Sequence, residues 1–383
     1  IVSEKVSRMD VTDRVAMGKA SQSEIDLVEG AYESETSTNL EAGDVAASKE
    51  ATSDYDLGER SAANTSNRQV TVDGVATVEE IKERRVDLDD GIYESTQKTT
   101  ADVEGVGTAS KEQTVEVDLE TGDIEWDRAR QAAVDAVGTV SQTEHFDGDL
   151  ATGEFEGSRE RTAEIDGLGA VSELTEGELD LSQGTGSGSR ERNAEIDGLG
   201  TVNETIEGEF DLSEGSASGS RDRQAEIDGV GSAGETIEAE MNLSEGTASG
   251  SRVREGELEG VGSVSETIEG EMDLTEGSAS ASRDRQAEID GVGSAGETIE
   301  AEMNLSEGTA SGSRVREGEL EGVGSASETI EGEMDLTEGS ASASVDRRGE
   351  LEGVGSVSET TEAEMNLSEG TASGSQVREG EIE

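Results

Sequence analysis

Arginines recur in this chain as pairs two residues apart. The pairs are Arg128/Arg130, Arg159/Arg161, Arg190/Arg192, Arg221/Arg223, Arg252/Arg254, Arg283/Arg285 and Arg314/Arg316. The series weakens at Val345/Arg347 and Gln376/Arg378. A guanidinium presents a rigid fork of donors that fits a carboxylate or a phosphate. The ladder therefore either bridges carboxylates on adjacent strands or lines an anion-binding groove. Lys plus Arg number 29 against 92 Asp plus Glu, a net charge of −63. In so acidic a chain the bridging role is expected, and the ladder reads as structural.

Rows of carboxylates suit hard cations. No calcium loop accompanies them. Asp87-Leu88-Asp89-Asp90-Gly91 lacks EF-hand spacing, and the Gly-Gly-x-Gly-x-Asp run is absent. The expectation is no cofactor, with Na⁺, K⁺, Mg²⁺ or Ca²⁺ held diffusely or bridging carboxylates. A defined metal site stays open. Five Asn-x-Ser/Thr sequons, at Asn64, Asn203, Asn242, Asn304 and Asn366, are candidate glycosylation sites. The competing reading is chance in a chain rich in Ser and Thr.

Catalysis finds no support. His145 is the only histidine and Trp126 the only tryptophan. A lone histidine without a spaced Asp, Ser or Cys partner reads as structural. Carboxylate pairs are too common here for a glycosidase-like pair to carry a signal. No phosphate loop or dinucleotide fingerprint occurs. The expectation is a non-enzyme. Nucleic acid is excluded as a partner, because its phosphates would be repelled.

The elements that hold these residues are set by an internal repeat. Asp/Asn-Leu recurs at Asp26, Asp56, Asp87, Asp118, Asp149, Asp180, Asp211, Asn242, Asp273, Asn304, Asp335 and Asn366, spaced by 31 residues apart from one step of 30. A glycine usually follows four positions later. A 62-residue rhythm overlies this one, and residues 221–263 recur identically at 283–325. About twelve units fill the chain. Residues 1–124 are more divergent and hold every Lys and Tyr; they read as a cap or attachment region, with regular repeats over 125–383.

Within a unit the period is two. Ile268, Gly270, Met272 and Leu274 alternate with Glu269, Glu271 and Asp273, the pattern of a half-buried strand. Turns are expected at 275–278 and 291–294. With 50 Gly residues, helices are unfavourable. The expected fold is all-β, a β-solenoid of 31-residue coils, with an antiparallel meander of long hairpins as the alternative. Small inward residues suit a solenoid; the long parity from Ala279 to Ile289 suits hairpins.

Only 30% of residues are hydrophobic and 2% aromatic, close to the composition of disordered chains. Strict periodicity opposes that reading. Neither Cys nor Pro is present. No apolar run approaches the roughly 18 residues of a membrane span. The sequence opens at Ile1 without a visible signal peptide, which reads as a processed or an incomplete chain.

Extreme acidity, with no lysine after Lys111, resembles haloarchaeal acidic extracellular repeat proteins in composition along the whole chain, without any family motif. The alternative is an acidic low-complexity segment. The resemblance implies concentrated salt, where screening shortens to roughly 3 Å near 1 M and self-repulsion fades. The expected function is a structural subunit of an extracellular filament or surface fibre of a halophilic microbe. A viral tail or spike fibre shaft and a cell-surface adhesin or coat protein are the alternatives. Localisation would be extracellular, at the cell surface or on a virion, and the partner a second copy of the chain.

Overall fold

The computed structural model describes residues 2–12 and 15–382 and divides into two units, Ile1–Asp197 and Gly198–Glu383. The described regular structure is all β, with 25 strands and no helix. Each strand has 12 residues, except the first with 11. No helix among the described residues is long and apolar enough to cross a membrane.

The first unit contains β1 (Val2–Thr12), β2 (Val15–Asp26), β3 (Ala31–Ala42), β4 (Val45–Asp56), β5 (Ser61–Val72), β6 (Ala76–Asp87) and β7 (Ile92–Val103). It continues with β8 (Gly107–Asp118), β9 (Asp123–Val134), β10 (Gly138–Asp149), β11 (Glu154–Ile165), β12 (Gly169–Asp180) and β13 (Thr185–Ile196). The second unit holds β14 (Gly200–Asp211), β15 (Ser216–Ile227), β16 (Gly231–Asn242), β17 (Thr247–Leu258), β18 (Gly262–Asp273) and β19 (Ser278–Ile289). β20 (Gly293–Asn304), β21 (Thr309–Leu320), β22 (Gly324–Asp335), β23 (Ser340–Leu351), β24 (Gly355–Asn366) and β25 (Thr371–Ile382) complete it.

Inside each unit consecutive strands pair antiparallel, as in β11–β12 and β18–β19, and build an open sheet of repeating hairpins. The period follows from the parts. Two 12-residue strands, a four-residue loop such as 274–277 and a three-residue turn such as 290–292 make one 31-residue unit. The single 30-residue step is explained by the two-residue turn Gly43–Asp44 between β3 and β4. Both turns begin earlier than the sequence suggests, so Leu274 belongs to the loop rather than to β18.

The Asp/Asn-Leu marker is a turn cap. Asp273 Oδ1 accepts from the N–H groups of Thr275 (2.8 Å) and Glu276 (2.9 Å) and from the Thr275 hydroxyl (2.6 Å). This is an Asx-type turn, in which the side chain supplies an acceptor where the ladder ends. Asn242 does the same for Ser244 and Glu245. The opposite turn depends on glycine. Val292 N donates to Ile289 O at 3.0 Å, with Gly291 at φ 67°. Gly293 then opens β20 at φ 148°, where a Cβ would lie 1.9 Å from Glu319 O.

Because strands alternate, each sheet has two chemically distinct faces. In the second unit one face carries Val264, Ile268, Met272, Ala287 and Ile289 together with Glu266 and the arginine pair. The other carries Ser, Thr, Glu and Asp, for example Glu269 opposite Ser282 and Glu271 opposite Ser280. No hydrophobic side chain among the described residues is buried. Val264 remains 58% exposed, Ile289 52% and Met272 44%. The apolar face is thus formed by the sheet but left uncovered.

Candidate functional site

The arginine ladder lies along the middle of the apolar face. On β18, Glu266 stands directly opposite Arg254 of β17 and Arg285 of β19, while Ile268 stands opposite Arg252 and Arg283. Arg283 Nε and Arg285 Nε donate to Glu266 Oε1 at 2.8 and 2.7 Å. Arg254 Nη1 lies 3.6 Å from Glu266 Oε2. One carboxylate thereby ties three strands together. Period-two spacing explains it: residues i and i+2 share a face, so both arginines reach the same glutamate on the neighbouring strand.

The unit repeats with little change. Glu204 accepts from Arg221 and Arg223, Glu235 from Arg252 and Arg254, and Glu297 from Arg314 and Arg316. Arg316 also reaches Glu328, at 3.7 Å. Where the sequence series weakens, single arginines remain: Arg347 holds Glu328 at 2.7 Å, and Arg378 holds Glu359 at 2.9 Å. Glu204, at 8% exposure, is the buried charged residue of the described chain.

In the first unit the ladder is less regular. Arg190 Nη2 meets Glu173 at 2.9 Å, with Arg192 Nε 3.6 Å away. On β10 the register of residue types is shifted by two. Gln142 stands where the ladder elsewhere has Glu, opposite Arg130 and Arg161, and Glu144 stands opposite Arg128 and Arg159. Glu144 lies 3.5 Å from each of those two arginines. Among the described residues neither Arg130 nor Arg161 has a carboxylate within 4.0 Å. The buried Nε atoms of Arg128, Arg159 and Arg190 lack hydrogen-bond partners.

His145, which reads as a lone histidine in the sequence, has a partner across the sheet. It lies on the acidic face of β10, directly opposite Asp127 of β9, with Nδ1 2.7 Å from Asp127 Oδ1. The Asp127 carboxylate raises the imidazole pKa, and Glu125 and Asp147 add to the effect. An antiparallel register was the missing signal, since 18 residues separate the pair. Ligand atoms of Glu125, Asp127 and His145 lie within 4.8 Å of one another, a nitrogen-and-oxygen set of the kind that suits a borderline cation. Trp126 lies on the other face, opposite Phe146, whose ring stacks on Phe155 at 6.2 Å.

The sequons fall in different settings. Asn242, Asn304 and Asn366 are turn caps whose Oδ1 accepts from the loop, at 3.1, 3.0 and 3.0 Å from Glu245 N, Glu307 N and Glu369 N. Asn203 is exposed within β14. Asn64 Oδ1 accepts from Tyr55 Oη at 3.2 Å.

In the second unit the acidic face separates its charges. Glu240, Glu271, Glu302, Glu333 and Glu364 each face serines on both neighbouring strands, so carboxylates in a row stand two strands apart. Thr236 and Thr298 donate to Asp222 and Asp284 at 2.9 Å along the middle of that face. Across β14–β21 the apolar face forms a trough of about 1170 Å³, lined by residues such as Val202, Ala225, Ala233, Val264, Ala287 and Ala295 with ladder charges between them. No protein-family model and no curated protein matches this sequence.

Proposed function

We propose that this chain is a non-catalytic structural subunit of an extracellular filament or surface fibre of a halophilic microbe. The observation that carries this reading is the hairpin repeat within each unit. From β14 to β25 every hairpin reproduces the same strand length, loop and turn, and an arginine–glutamate contact recurs in each 31-residue repeat. Such a design adds length without adding a distinct site. It also leaves the apolar side chains exposed in the isolated chain, so a partner is needed to cover them. The charge of −63 is compatible with a compact sheet once concentrated salt screens it.

Electron microscopy of the protein in about 3 M salt, where the screening length is below about 3 Å, tests the reading. Long uniform filaments with an axial repeat are expected. Dispersed single chains at every protein concentration would end it. Short rods of fixed length attached to particles would instead support a viral fibre shaft.

A further inference from the structure

We propose that the apolar face of the Gly198–Glu383 unit is an interface, and that its occupant is the same face of a second copy of this chain, related by a two-fold axis. The inference rests on the self-assembling reading above and names the surface that assembles.

Three observations converge. The face is apolar and open: Val264, Met272 and Ile289 are 58%, 44% and 52% exposed, and no hydrophobic side chain is buried to serve as a core. A lone sheet with one apolar face is not a stable arrangement; it needs a second layer. The unit has twelve strands, β14 to β25, of 12 residues. At about 4.8 Å between strands and 3.3 Å per residue the face measures roughly 2,300 Å², against the roughly 800 Å² per partner of a standard stable interface.

Charge then selects which face it meets. The glutamates of this face are Glu204, Glu235, Glu266, Glu297, Glu328 and Glu359, and each lies against at least one arginine. Arginines outnumber them, so the face carries no excess of negative charge. The opposite face holds the remaining strand carboxylates of the unit, with Arg348 as its one arginine. Two apolar faces can meet without acidic repulsion. Any pairing that uses the acidic face buries a sheet of unpaired carboxylates, which is costly. Like faces meeting like is the geometry of an isologous contact about a two-fold axis. The small side chains of the trough, Ala225, Ala233, Ala287 and Ala295, leave room for Val and Met of a facing sheet.

The chain has no cysteine, so a single one can be placed at will. Val264→Cys puts a spin label on the apolar face, and Ser263→Cys puts one on the acidic face of the same strand. Ala295→Cys and Ser294→Cys repeat the comparison on β20. In concentrated salt the labels at 264 and 295 are expected to be immobilised and dipolar-broadened, because facing sheets lie about 10 Å apart. Dilution with unlabelled protein should remove the broadening. The labels at 263 and 294 should stay mobile and unbroadened. Mobile, unbroadened labels at both 264 and 295 would overturn the proposal, as would equal broadening on both faces. Filaments by microscopy with free labels at 264 and 295 would sink this interface but keep the fibre; broadening without filaments would keep the interface and sink the fibre.

Discussion

Arg285 donates from Nε to Glu266 Oε1 at 2.7 Å, directly across the antiparallel pairing of β18 with β19. The same oxygen receives Arg283, so the carboxylate satisfies two cations with one side chain. Glu266→Gln removes the charge that both guanidiniums use. The Glu266 side chain is 16% exposed and Arg285 is 48% exposed. Solvent therefore screens part of the interaction, and a loss of about 1–2 kcal/mol is expected. The converse change is Gln142→Glu, which places a carboxylate opposite the unpaired Arg130 and Arg161. It should raise stability by about 0.5–1 kcal/mol. Thermal melts followed by circular dichroism check both. A stabilised Glu266→Gln variant would contradict the bridging role.

Two turns carry a side chain where the repeat has glycine. Ala136 sits at φ 58° in the turn between β9 and β10, and Arg60 at φ 51° in the loop between β4 and β5. Left-handed backbone costs a non-glycine residue about 1–2 kcal/mol, partly offset by the extra unfolded-state freedom of glycine. Ala136→Gly and Arg60→Gly should each stabilise by about 0.5–1 kcal/mol. Hydrogen exchange at the adjacent strand ends would report it; unchanged or faster exchange counts against the strain.

The turn caps predict a dependence on acid. The Thr275 hydroxyl and the N–H groups of Glu276 and Thr275 hold the Asp273 carboxyl below its usual value; Thr337 and Glu338 do the same to Asp335, and Ser213 and Glu214 to Asp211. A carboxyl with a lowered folded pKa contributes stability that is present above its unfolded value of about 3.9 and is lost as pH falls through the folded value. Asn242, Asn304 and Asn366 make the same caps without titrating. A triple Asp211→Asn, Asp273→Asn, Asp335→Asn variant should therefore lose less stability than the parent as pH falls below about 4. Parallel acid limbs for the two proteins would contradict the assignment. His145 has the opposite sign. Its raised pKa contributes stability present below about 6.5 and lost as pH rises through the folded value.

The repeat, the alternation and the role of Gly291 are readable from residue order, because each depends on neighbours within a few positions. A coil and a hairpin put their turns at the same residues, so the parity of Ala279 to Ile289 supports strands without naming their partners. Cross-strand register decides what meets what. It brings His145 to Asp127 and Glu266 to Arg254, Arg283 and Arg285, and no local spacing encodes either contact. The caps at Asn242, Asn304 and Asn366 show a further limit, since an Asx turn followed by Ser has the same letters as a sequon.

Register also locates the weakest point of the first unit. Glu94, Glu116, Glu125, Asp147, Glu156 and Glu178 stand directly opposite one another on consecutive strands β7 to β12. Carboxylates there are one strand apart, about 4.8 Å, without the serine spacers of the second unit. Like charges directly opposite destabilise a sheet, and the penalty grows as the screening length lengthens from roughly 3 Å at 1 M to 10 Å at 0.1 M salt. On dilution of salt, hydrogen exchange should accelerate in β8–β11 at a higher salt concentration than in β16–β22. Glu125→Ser, which installs the spacer of the second unit, should move that loss to lower salt. A uniform loss along both units, unaffected by Glu125→Ser, would show that total charge rather than the row sets the salt requirement.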